Sequence, residues 1–164
     1  MIDFVWIIKH KILGRYRYYE EAVMNRLKAI RGDVFVDVGA NIGHYSVKLA
    51  KNFKTVHAFE PNPRYLPLLK DRVPSNVLVH PVALSDKNGS SSLYLTKSYG
   101  AGGDTLLPYF TYAPADNPEA ARRFIGKGSV QVSTHTFDSL FKETVDLVKI
   151  DVEGWELAVL RGAG

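Results

Sequence analysis

Val36-Asp37-Val38-Gly39-Ala40-Asn41-Ile42-Gly43 is the stretch that decides the fold. The run from Val34 to Val38 is rich in β-branched residues and ends in a glycine, the pattern of a strand buried on both faces. Gly39 lets the backbone turn tightly and approach a ligand, because it has no Cβ to clash. Gly43 opens a helix predicted to reach about Lys51, and the free N–H groups of a helix start face the same crevice. A dinucleotide site asks for G-x-G-x-x-G here, yet Asn41 stands where the second glycine belongs. No Gly-Lys-Ser or Gly-Lys-Thr follows, so a phosphate-cradling loop is excluded as well. The crevice therefore suits a nucleoside without a pyrophosphate.

The pattern repeats outward from that turn. Thr55 to Phe59 reads as a second buried strand, Asn62-Pro63 as the cap and first residue of a helix, and Val77 to His80 as a third strand. Strand, helix, strand, helix, strand is the grammar of an α/β fold with a parallel sheet and crossover helices. Glu60, at the end of the second strand and about 20 residues past the first glycine, stands where an acid accepts both ribose hydroxyls. Val82, Ala83 and Leu84 then wall the adenine ring.

Residues 86–136 interrupt this grammar. Two strands, Ser92–Thr96 and Val130–Ser133, are expected to pair antiparallel and to flank a long excursion. That excursion carries Gly100, Gly102, Gly103, Tyr109, Phe110 and Tyr112, then a short helix from Asn117-Pro118 to Gly126, and is read as a lid or substrate wall. The last strand is Leu147 to Ile150, followed by Asp151, Glu153, Gly154 and a helix near Trp155.

Ahead of the first strand, residues 1–31 are read as an N-terminal helical segment in two pieces around Gly14, with 32–164 as the α/β domain. The second piece carries Tyr16, Tyr19, Val23, Leu27 and Ile30 at helical spacing. The first mixes Phe4, Val5, Trp6, Ile7 and Ile8 with Lys9, Lys11, Arg15 and Arg17. It is expected to cap the domain, with peripheral membrane contact through residues 1–17 as the alternative.

The 164 residues suffice for one domain, and the chain holds no cysteine, which excludes disulfides, thiolate metal sites and a cysteine nucleophile. No apolar run approaches the ~20 residues of a membrane span, so the protein is expected to be soluble and cytoplasmic. A net charge of +4 permits an anionic partner without demanding one.

Four segments together carry a family resemblance. Asp37-Val38-Gly39-Ala40-Asn41-Ile42-Gly43, Phe59-Glu60-Pro61, Ala83-Leu84-Ser85-Asp86 and Lys149-Ile150-Asp151-Val152-Glu153-Gly154 followed by Glu156 resemble the FkbM family of methyltransferases. The resemblance implies a Rossmann-like fold, S-adenosylmethionine as cofactor and methyl transfer to a hydroxyl on a sugar, glycan or small metabolite. It implies that Asp37, Gly39, Asn41 and Gly43, with Ala40 between them, hold the methionine and ribose side of the cofactor. Glu60 would bind the ribose, and Asp151 would sit beside the transferable methyl. For the base that takes the hydroxyl proton, Asp151 ranks first, Glu153 second and His44 third. A divalent metal shared by Asp151 and Glu153 is the less favoured alternative, and Glu156 is read as stabilising its helix start. His80 and His135 are read as structural.

Family members continue with a helix and three further strands, so 32–164 reads as a methyltransferase domain truncated after its fourth core strand. That strand is then expected to be a bare hydrophobic edge, covered by an oligomer or another partner. A non-catalytic, truncated binding module and an RNA methyltransferase are the rival readings. The second is disfavoured because the acids after the last strand repel phosphates and no Asn/Asp-Pro-Pro-aromatic segment stands there.

Overall fold

The computed structural model describes residues 3–6, 16–95, 104, 106 and 128–164, with backbone alone for 3–6 and 16–20. Its main sheet has five strands, all parallel: β1 (Asp3–Trp6), β2 (Gly32–Val38), β3 (Phe53–Phe59), β4 (Val77–His80) and β8 (Leu147–Ile150). They lie in the order β1-β8-β2-β3-β4. Helices α1 (Tyr16–Leu27), α2 (His44–Leu49), α3 (Leu66–Arg72), α4 (Phe137–Leu140) and α5 (Glu156–Arg161) accompany it. A second sheet joins β5 (Ala83–Leu84), β6 (Gly89–Tyr94) and β7 (Ser129–His135) in the order β5-β7-β6, with β6 and β7 antiparallel as expected.

The main sheet is covered on both faces, which is why its strands read as nearly unbroken apolar runs. Successive side chains of a strand point to opposite faces. Phe35 and Leu147 pack with Leu27, Tyr45, Leu49 and Leu69 on one side, while Val36, Val38, Val148 and Ile150 pack with Phe137, Phe141 and Val159 on the other. Burying a side chain such as Phe35, fully hidden here, contributes about 1.5–3 kcal/mol. Two positions break the apolar rule. Asp37 and Lys149, paired across β2 and β8, are polar and almost completely buried.

The N-terminal expectation needs correction. Asp3–Trp6 is a strand rather than part of a helix, and it pairs in parallel with β8, Asp3 opposite Leu147 and Trp6 opposite Ile150. The β-branched and aromatic residues there suit a pleated surface, and β8 offers it a row of unpaired backbone groups. The expected bare edge is thereby corrected too: β8 is an inner strand between β1 and β2, and the motive for an oligomer at that edge disappears. The second helical piece is present as α1. Gly14 and the basic residues Lys9, Lys11 and Arg15 lie outside the described residues.

The helix expected at Asn62-Pro63 starts later, at Leu66. Asn62 Oδ1 accepts the N–H of Arg64 at 2.9 Å, and Tyr65 N–H donates to the Asn62 carbonyl, so Asn62 closes a turn ahead of the helix. Short polar side chains compete for nearby backbone in this way. Of the excursion, Asp104 and Leu106 are described; the tyrosines, the phenylalanine and the helix expected at 117–126 lie outside the described residues. No described helix is long and apolar enough to cross a membrane.

Candidate active site

Parallel strands deliver their carboxyl ends to one edge, and β2, β3 and β8 do so side by side. The turn after β2 is closed by its neighbours. Gly39 and Ala40 N–H groups both donate to the Phe59 carbonyl at the end of β3, at 3.0 and 2.9 Å. Asn41 N–H donates to Glu60 Oε2 at 2.8 Å, and Ile42 N–H to Asn41 Oδ1 at 2.8 Å. Gly39 has φ +76° and Asn41 φ 53°, both in the left-handed region. A Cβ on Gly39 would strike the Asp151 carbonyl, so the turn after β2 and the loop after β8 meet here at backbone distance.

Glu60 is 6% exposed and spends one contact per oxygen on the backbone: Oε1 accepts from Asn62 N–H at 2.7 Å and Oε2 from Asn41 N–H. Burial pushes its carboxyl up to about 7, against the pull of those two N–H groups and of Lys149, and Asp104 adds to the rise. A carboxylate offers about four lone-pair sites, so two are left over for a pair of hydroxyls. Asn62, fully buried, also donates its amide to Asp104 Oδ2 and so ties the excursion to this carboxylate.

Asp37 is fully buried. Its Oδ2 accepts from Ser46 N–H at 3.1 Å and Ser46 Oγ–H at 2.6 Å, and its Oδ1 lies 3.0 Å from Lys149 Nζ. Lys149 Nζ also donates to the carbonyls of Gly39 at 2.8 Å and Val38 at 3.3 Å, and sits 5.2 Å from the centre of the Tyr45 ring.

The loop after β8 begins with Asp151, whose N–H donates to the Val38 carbonyl at 3.1 Å. Glu153 has φ 53° and Gly154 φ 99°. Glu156 Oε1 accepts the N–H groups of Val152 at 3.1 Å and Gly154 at 3.2 Å, so this acid does shape its helix start. Trp155 donates its indole N–H to Ser85 Oγ at 3.1 Å and joins the loop to the second sheet.

Among the expected site residues, Asp37, Gly39, Ala40, Asn41, Gly43 and Glu60 gather around the turn after β2, and Asp151 and Glu153 lie on the adjoining loop. His44 is exposed at the start of α2 beside Lys48, its Nε2 3.2 Å from that ammonium. The Leu84 side chain is committed to the core with Val36, Phe59 and Ile150, and Ala83 packs with Leu93 and Val132. His80 shares a hydrogen bond with His57 at 3.0 Å, and burial lowers the pKa of both rings. No group of three or more metal-ligating side chains occurs among the described residues. Three residues at the site were given no site role from the sequence: Lys149, Asn62 and Asp104. Only Lys149 left a signal, as a charge inside the apolar run Leu147–Ile150.

Comparison with known proteins places this geometry. The model of the methyltransferase FkbM domain matches residues 37–164. The hexuronic acid methyltransferase AglP of Haloferax volcanii is 30% identical over 142 residues, covering 82% of this chain and 52% of that protein. Methyltransferase sdnD of Sordaria araneosa is 31% identical over 163 residues, covering 77% of this chain and 59% of that one. The chain thus spans little more than half the length of the curated relatives it matches. A solved precorrin 8w decarboxylase from Methanobacterium thermoautotrophicum superposes on 36% of this chain and 37% of its own, at TM-score 0.32 and 24% identity, too slight a likeness to carry an argument. With the match running from the end of β2 through the loop after β8 and beyond, the chain belongs to the FkbM methyltransferase family.

Proposed function

We propose that this chain carries an S-adenosylmethionine-dependent O-methyltransferase site acting on a hydroxyl of a sugar, glycan or small metabolite. The observation that carries the reading is Glu60: a carboxylate 6% exposed, pinned by two backbone N–H groups beside a left-handed turn, with acceptor capacity to spare. That acceptor set fits a vicinal diol, and Gly39, Ala40, Asn41 and Gly43 would line the remainder of the cofactor. Bound there, S-adenosylmethionine supplies an electrophilic methyl group.

The work left to the protein is alignment and proton transfer. Holding acceptor and donor in line at about 3–3.5 Å accounts for much of the acceleration in such displacements. An alcohol becomes a competent nucleophile as its proton leaves, and Asp151 is the base we assign, with Glu153 next to it and His44 third. The Asp151 backbone adjoins the turn after β2, its N–H on the Val38 carbonyl and its carbonyl beside Gly39, which supports the assignment. A sugar-type acceptor is supported by the Haloferax relative, a hexuronic acid methyltransferase.

Calorimetric titration with S-adenosylhomocysteine tests the reading. Micromolar binding that falls at least about tenfold in Glu60→Ala is expected, the loss of roughly 1.4 kcal/mol that charge-assisted hydrogen bonds supply. A folded wild-type protein that binds nothing refutes the cofactor site.

A further inference from the structure

We propose that Lys149 and Asp37 form a positioning pair that sets the shape of the turn after β2, so that Asp37, expected from the sequence to hold the cofactor directly, acts on it through that turn without touching it. The proposal rests on the cofactor reading above for its functional half, and on geometry alone for its structural half.

Stability does not explain the pair. Lys149 is 2% exposed and Asp37 is fully buried, on the face of the sheet where Phe35, Leu147 and Leu49 otherwise form an apolar layer. Taking two charges out of water costs several kcal/mol each, and well-packed apolar residues in place of such a pair are often as stable or more so. What the pair does have is a dense set of partners, with Asp37 Oδ1 held by the ion pair alone. The ammonium offers three N–H groups and meets three oxygens: Asp37 Oδ1, the Gly39 carbonyl and the Val38 carbonyl. Asp37 in turn grips α2 through both the N–H and the hydroxyl of Ser46.

The partners say what is being held. Lys149 draws the carbonyls of Val38 and Gly39 down towards the sheet at the point where the backbone enters its left-handed bend. The Val38 carbonyl is shared with the Asp151 N–H, so the same oxygen also receives the first residue of the loop after β8. The ammonium beneath the turn thus sets two loops at once, and Ser46 fixes α2 against the same carboxylate. An apolar pair would fill the space, remove the lysine's hold on the Gly39 carbonyl and leave the Val38 carbonyl to the Asp151 N–H alone.

The test is the charge-free double variant Lys149→Met with Asp37→Asn, which keeps the volume and leaves an acceptor for Ser46. Three quantities are read in the full chain: the urea midpoint, amide hydrogen exchange of residues 39–41, and S-adenosylhomocysteine affinity. The expected result is a midpoint no lower than wild type, with those amides exchanging at least about tenfold faster and affinity at least about tenfold weaker. A stable double variant with wild-type exchange overturns the proposal, and so does one that loses cooperative unfolding, since the pair then belongs to the core. Ser46→Ala is the milder check. It keeps both charges and is expected to speed exchange of residues 39–41 by about threefold, and unchanged exchange there counts against the pair. Should the wild-type protein bind no S-adenosylhomocysteine, the cofactor reading fails while the exchange data still decide whether the pair sets the turn.

Discussion

The turn after β2 and the loop after β8 lie against each other and share a design: each has a non-glycine residue at positive φ, Asn41 in one and Glu153 in the other. They differ in who holds them. The first is tied by distant parts of the chain, the Phe59 carbonyl, Glu60 and Lys149. The second is tied at Val152 and Gly154 from its own side, by Glu156, and is anchored at its two ends by Asp151 N–H on the Val38 carbonyl and by Trp155 on Ser85. A turn fastened by two neighbouring strands keeps its shape as long as the sheet does, which suits a binding cradle. A loop fastened by its following helix can be altered without disturbing the sheet, which suits the part of an enzyme that meets varied acceptors.

The contrast can be broken most sharply from the sheet side. Lys149→Met alone leaves the Asp37 charge buried and unpaired, and is expected to cost about 3–5 kcal/mol in urea unfolding. From the helix side the effect is smaller and of another kind. Glu156→Ala frees the N–H groups of Val152 and Gly154 and is expected to cost about 2 kcal/mol. Methyl transfer should fall in that variant while S-adenosylhomocysteine affinity holds; equal loss of both would erase the distinction between the two loops.

Acidity sharpens the comparison, because the cradle contains a carboxyl raised to about 7. On the cofactor reading proposed above, its ionised form is the better acceptor for the two hydroxyls of a diol. Affinity for S-adenosylhomocysteine should therefore rise about tenfold between pH 6 and pH 8 and level off above it, at about 1.4 kcal/mol per pKa unit. The unliganded fold responds with the opposite sign. A carboxyl that holds its proton more tightly folded than unfolded makes Glu60's contribution to stability fall as pH rises from about 4.5 to about 7. Glu60→Gln should flatten both profiles, and a pH dependence of binding that survives the substitution would move its source elsewhere. The smallest effect is expected from Trp155→Phe, which removes one indole hydrogen bond and should cost about 0.5–1.5 kcal/mol in thermal unfolding, without changing amide exchange in residues 39–41.

Much of this architecture is legible in the sequence because it is local. The glycine after Val38, the β-branched runs of β2 and β3 and the acid that follows Phe59 are each read from a few consecutive residues. What escapes notice depends on partners far along the chain. Asp3–Trp6 becomes a strand only because β8 lies beside it, and short apolar runs do not declare helix or strand by periodicity. Lys149 looks like one polar residue in a strand until its register opposite Asp37 is known. Asn62-Pro63 carries the signature of a helix start, yet the asparagine closes a turn instead and lends its amide to Asp104, a contact no spacing rule foresees.

The pairing of β1 with β8 also bears on how the molecule is made. β1 leaves the ribosome early, and the strand it pairs with, Leu147–Ile150, is translated after nearly all the rest of the described sheet. During synthesis β2, β3 and β4 have their neighbours at hand, whereas β1 has to wait with its backbone groups unmatched. Long-range parallel pairing is slow because the loop-closure entropy comes before any contact is gained. The outer strand is thus the last piece of the sheet to be zipped in, and the nascent chain is most prone to mispairing in the interval before β8 emerges.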